Sequence, residues 1–165
     1  MRRMQGTLAA IVAATLVGGV AHAETLPGEA ALTRPAYVAQ IEPICKRNTE
    51  ANTRILKGAR AKVNNDRMPV AGAQFIRASK AFGAAVKKIT AVPRPTTDDA
   101  RLRKWFRFLR IVQKNLRKIG VALKAENRVK ANHEAIRAER SGNAANNVGS
   151  VFKFLHCHLL PSRFR

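Results

Sequence analysis

The chain has 165 residues, 31 Lys and Arg against 10 Asp and Glu, and a formal net charge of +21. With 46% hydrophobic residues it is not a disordered basic tail, yet only 5% are aromatic, so its core must be built largely from alanine and aliphatic side chains. Charge of this size favours polyanionic partners over basic or neutral ones and costs the compact state some self-repulsion.

The N-terminus has the layout of a secretory leader. Arg2 and Arg3 form a positive n-region, Leu8 to Val20 is uncharged and apolar, and Ala21-His22-Ala23 is the small-x-small pattern that signal peptidase cuts. The run is short and rich in Ala and Gly, which disfavours a transmembrane span, and no second long apolar segment follows. The expectation is a cleaved signal peptide over 1–23 and a protein that is secreted, periplasmic or held at the cell envelope, soluble after cleavage. The arginine pair leaves both the general and the twin-arginine export routes open. Cleavage removes Arg2 and Arg3 and leaves 165 − 23 = 142 residues at a formal charge of +19, a normal size for one domain.

Residues 24–33 contain Pro27 and Gly28 without periodicity and read as a flexible arm. The first helix is expected to start at Thr33, with Pro35 harmless in its first turn. Tyr37, Ile41, Ile44/Cys45, Asn48, Ala51/Asn52, Ile55, Ala59 and Val63 recur at three- and four-residue steps, so one helix is expected to run to Asn64-Asn65-Asp66. A second helix follows from near Pro69 to Thr90, its buried side marked by Phe75, Ala78/Ser79, Phe82, Ala85/Val86 and Ile89. Val92-Pro93-Arg94-Pro95 cannot continue it and predicts an extended connector.

The third helix carries the strongest pattern. Thr96 or Thr97 is expected to cap it, with Asp98 and Asp99 placing negative charge at the positive end of the helix dipole. Leu102, Trp105, Leu109, Val112, Leu116, Ile119 and Leu123 form a heptad seam, on a helix roughly 40 Å long at about 1.5 Å per residue. Glu126-Asn127 reads either as a short turn or as helix continuing through 125–128. In the fourth helix Val129, His133 and Ile136 share a face, Ser141-Gly142-Asn143 is a break or kink, and Ala145, Val148, Phe152, Leu155 and Leu159 resume the helical spacing. No alternating β-branched run appears, so strands are not expected. The fold class is all-α: an up-down bundle of about four helices over 34–160, followed by a basic tail at 161–165.

Cys45 and Cys157 are the two cysteines. In an exported chain an even count predicts a disulfide, here between the first and last helices, and closing its loop of 112 residues (157 − 45) restricts the unfolded chain by roughly 4–5 kcal/mol. Two buried free thiols are the alternative.

On the surface, Arg103, Arg107, Arg110, Lys114 and Arg117 step 4, 3, 4, 3 along the third helix, with Lys124 one heptad on. This ridge lies opposite the seam, is broadened by Arg101, Lys104 and Lys118, and has no acid expected at i±4. It is the candidate polyanion-binding face, for wall polymer, nucleic acid or lipid headgroups; the alternative is that Lys and Arg simply solvate every helix of a basic protein. Phe106 and Phe108 lie among the cations and read as packing residues before base-stacking ones. His156-Cys157-His158 would make a metal site only on extended backbone, so no metal is expected. Cys-x-x-Cys-His, Gly-x-Ser-x-Gly, His-Glu-x-x-His and a phosphate-cradling glycine loop do not occur, so neither a cofactor nor catalysis is expected. The Asn143–Gly149 stretch reads as a small-residue packing surface.

Taken with the leader, Ile44-Cys45, Trp105-Phe106, the small-residue run at Ala144-Ala145, Gly149 and Cys157 resemble a group of exported, two-cysteine helical-bundle proteins of high-GC bacteria. The resemblance implies the fold and the export, and attaches no function or small-molecule substrate. The expected function is that of a non-enzymatic envelope protein that binds anionic polymer through its basic face. The alternative is a structural or protein-partner module.

Overall fold

A computed structural model describes residues 32–159. The expected leader (1–23), nearly all of the arm and the basic tail (161–165) lie outside the described residues. The chain divides into two units, Met1–Ala30 and Ala31–Arg165, and the helices belong to the second. They are α1 (Arg34–Ile55), α2 (Ala59–Asn64), α3 (Met68–Ala91), α4 (Asp99–Lys124) and α5 (Arg128–Gly149). The described residues contain four long helices and one short one, with no strand. The all-α bundle expected from periodicity is the fold observed.

Thr33 caps α1, its Oγ1 accepting from the Ala36 N–H, with Pro35 in the first turn. Pro43 stands inside α1 and withholds a donor from the Ala39 carbonyl, but both residues are exposed and water can meet it. The single first helix expected through Val63 is instead broken at Gly58, whose φ of 70° is one that glycine adopts without strain. The break is stitched to the core by Gln74, which is buried and donates through Nε2 to the carbonyls of Ile55 (2.7 Å) and Lys57 (3.0 Å). It thereby satisfies groups that the end of α1 would leave orphaned.

The heptad seam of α4 is buried throughout, from Leu102 to Leu123. It packs between α3 and α5. Where α3 and α4 cross, Gly72 and Gly120 face each other: a Cβ on Gly72 would lie 2.6 Å from the Gly120 carbonyl oxygen, and one on Gly120 2.7 Å from that of Gly72. Close backbone approach therefore requires glycine at both positions. The expected threonine cap of α4 is not formed. Thr96–Asp98 is a 3₁₀ turn, and Asp98 turns its carboxylate away to take two hydrogen bonds from Arg34, 2.8 Å from Nε and 2.7 Å from Nη2. That bidentate pair ties the start of α4 to the start of α1.

Glu126, at φ 53°, and Asn127, which caps α5 by accepting from the Lys130 N–H, make the turn between α4 and α5. Two expectations about the last helix fail. Ser141-Gly142-Asn143 does not break it, because Gly142 is buried in the packed stripe Ala131, Ala135, Ala138, Gly142, Ala145 and Gly149. The helical spacing from Ala145 holds through Val148 but not through Phe152, Leu155 and Leu159: Ser150–Phe152 is a 3₁₀ turn, Lys153 adopts a left-handed conformation, and the chain runs on irregularly to Leu159. Val129 and Leu155, expected on the apolar face, are both 83% exposed.

The terminal strap is nevertheless well held. Cys157 is joined to Cys45 by the expected disulfide, with Cα atoms 4.9 Å apart. Phe152 stacks on Phe154 and Phe154 on Trp105, with centroids 5.1 and 5.0 Å apart, and Tyr37 meets Phe152 at a tilt of 57°, with centroids 6.4 Å apart. The Glu42 carboxylate accepts from the backbone N–H groups of Leu155 and His156, each at 2.8 Å. Asn146 clasps Leu159 by accepting from its N–H and donating to its carbonyl.

Two outcomes test this packing. Gly120→Ala should destabilise the fold by about 1–3 kcal/mol, because the new methyl meets the Gly72 carbonyl and the Ile76 backbone nitrogen, which cannot rotate away. Gly83→Ala, obstructed only by the flexible end of Gln113, should be neutral or stabilising by up to about 1 kcal/mol through helix propensity. Denaturant unfolding of both variants measures the contrast. The Arg34 guanidinium holds the Asp98 carboxyl below the usual carboxylate range. Its stabilisation is therefore complete above the unfolded carboxylate pKa of about 3.9 and is lost as pH falls through the lower folded value. Asp98→Asn should lower Tm at pH 7, and the gap to the parent should narrow only as pH falls below about 3.9 and close below the lowered folded value.

Candidate functional site

The basic face of α4 is only partly what its spacing predicts. Arg103, Arg107, Arg110, Lys114, Arg117 and Lys124 are all exposed. Arg103 is neutralised, contrary to expectation, by Asp99 one turn earlier, which also pairs with Arg94. Lys118 is drawn toward the buried Glu134 of α5 at 3.5 Å. Lys124 sits around the helix toward α3, where its Cγ would lie 2.8 Å from a Cβ on Gly72. Lying only about 20° around the helix from Arg117, it borders the ridge on its α3 side. Arg107, Arg110, Lys114 and Arg117 remain, a strip about 15 Å long with no acidic partner among the described residues. The Arg107 guanidinium lies over the Phe108 ring, 5.4 Å from its centroid, and Phe106 is buried, so neither ring is presented for stacking. Ile111 and Val121 are exposed beside the strip.

His156-Cys157-His158 is divided between other tasks. The Cys157 sulfur is committed to Cys45, and His158 Nε2 lies 3.3 Å from Asn146 Nδ2. Among the described residues no three His, Cys, Asp or Glu side chains converge as metal ligands. No described helix is long and apolar enough to cross a membrane.

The second feature has no counterpart in the sequence reading. α1 packs on α3, α3 on α4 and α4 on α5, but no comparable packing joins α5 back to α1. A cleft of about 970 Å³ occupies that open seam. Its apolar floor includes Phe75, Phe82, Leu116, Ile119 and Leu123, and α5 contributes Ala131 and Ala135, side chains too short to reach α1. The strap closes one end. At the other, Arg128 donates to the Val63 carbonyl at 2.9 Å and to Asp66 at 3.2 Å.

One polar pair is set into this lining. Asn52 donates to the Oδ1 of Asn48 at 2.8 Å, and its own Oδ1 is buried without a donor. An unmet buried acceptor costs about 1–3 kcal/mol, which a donor entering the cleft would recover. The trace of this in the sequence is a pair of asparagines at seam positions of the first helix, together with alanines where α5 would need bulk to close the bundle. No family model, curated protein or solved structure matches the chain.

Proposed function

We propose that this is an exported, non-enzymatic helical protein that binds anionic polymer at the cell envelope through the basic strip of α4. The observation that carries the reading is the run Arg107, Arg110, Lys114 and Arg117: four exposed cations on one rigid helix face, unneutralised among the described residues. A seam buried along the whole helix fixes the spacing of these charges, so a phosphate- or sulfate-bearing chain meets a preformed row. Release of the counterions condensed on the polymer then drives association. Export is supported by the leader-like N-terminus and by the disulfide, a bond that persists where thiols are oxidised. Ile111 and Val121 beside the strip support a second reading, a protein partner docked on the same face by apolar contact.

Heparin affinity separates the two. With about four contacts, binding should weaken roughly a hundredfold between 50 and 200 mM salt, by analogy with duplex DNA. Replacing Arg107, Arg110, Lys114 and Arg117 with Gln should abolish most retention while leaving the helical circular dichroism unchanged. Unaltered retention in that variant contradicts the strip, and a protein partner that co-purifies through high salt favours the second reading.

A further inference from the structure

We propose that the cleft between α1–α2 and α5 is a binding site for an uncharged lipid alcohol, an aliphatic chain ending in a hydroxyl. The site is separate from the α4 strip and does not depend on that reading. Its volume, about 970 Å³, falls in the range of pockets that hold small ligands, and Phe75, Phe82, Leu116, Ile119 and Leu123 offer an aliphatic chain a continuous apolar floor.

The polar groups of the lining select a neutral head that donates a hydrogen bond. No Asp or Glu lines the cleft, and its basic side chains are already engaged. Arg128 is held by the Val63 carbonyl and Asp66, Arg60 has a partner of its own, and His158 lies against Asn146. An ionic head would have to displace those contacts. Asn52 differs from them. Its Nδ2 donates to Asn48, while its Oδ1 is the one buried side-chain oxygen of the lining, among the described residues, without a donor. The residue is half-buried and the last torsion of an amide side chain is soft, so a small turn presents that oxygen to the cleft. A hydroxyl supplies the missing donor, which an ionised carboxylate lacks, and the chain behind it covers the floor. The cleft is also held open by the fold. The disulfide and the Glu42 contacts fix its strap end, Gln74 fixes the bend between α1 and α2, and the alanines of α5 leave the gap unfilled.

The test is titration of the purified, delipidated protein with decanol, with its methyl ether and with decanoate, each below its solubility or micellar limit. The ether keeps the chain and the oxygen, loses the donor and gains a methyl group, so apolar burial alone favours it over the alcohol. Decanol should nevertheless bind saturably and roughly three- to tenfold tighter than the ether, the worth of one net hydrogen bond, with decanoate weaker than decanol. Asn52→Leu should lose the preference for alcohol over ether and keep ether binding, which also shows that the cleft survives. Asn132→Trp, placed on the exposed rim of α5, should block both ligands without altering the helical signal. The four-glutamine variant of the α4 strip should bind decanol as the parent does. Ether or decanoate bound as tightly as decanol, a preference that persists in Asn52→Leu, or decanol bound undiminished in Asn132→Trp overturns the proposal. So does a cleft covered by a second copy, read as decanol binding that weakens with protein concentration, or by a terminal segment of the chain, read as binding only after truncation.

Discussion

The bond between Cys45 and Cys157 is the constraint on which this architecture rests. A bundle of this kind ordinarily closes by packing its last helix against its first, and here that seam is open. The covalent link joins α1 to the strap beyond α5 across 112 residues of sequence, and in the loop-entropy account it removes roughly 4–5 kcal/mol of freedom from the unfolded chain. That is a large fraction of the stability of an ordinary domain. Around it gather the contacts that place the strap: the Trp105–Phe154–Phe152 stack, the Glu42 carboxylate and the Asn146 clasp. The Arg34–Asp98 pair lies nearby and adds a bidentate contact to the same end of the bundle.

Small residues explain both the tightness and the gap. Glycine at 72 and 120 lets α3 and α4 approach to backbone contact, and the alanine stripe of α5 lies flat on α4. The same alanines cannot span the distance to α1, so close packing on one side of α5 produces a cleft on the other. An alanine-rich core with few aromatics has this consequence wherever a helix must serve two neighbours at different distances. The charge follows a similar division. Acids are few and are spent at helix starts and between helices, as in Asp98, Asp99 and Glu134, which leaves the outer face of α4 positive.

Much of the fold was legible because its signals are local and periodic. The seam from Leu102 to Leu123 and the buried side of α3 are written at helical spacing, and two cysteines permit a single intramolecular pairing. What escaped depends on tertiary context. Gly58 ends α1 because its left-handed backbone is met by Gln74 from α3, whereas Gly142, equally suggestive of a break, is held in helix by packing against α4. Leu155 and Leu159 continue a helical rhythm that the left-handed Lys153 interrupts. The basic ridge was legible in composition but not in pairing: Asp99 reaches Arg103, and Lys124 lies against α3. The cleft is an absence of side chains between two helices, and Asn48 and Asn52, polar at seam positions, with the alanines of α5 are its trace in the sequence.

Hydrogen exchange of the oxidised protein and of its disulfide-reduced form tests the central role of the covalent link most directly. Reduction should expose the amides of α1, α2 and residues 153–159 while those of the α3–α4 crossing and the α4 seam stay protected. Protection that is unchanged on reduction, or lost uniformly through α4, would contradict a bundle whose open side is held by that one bond.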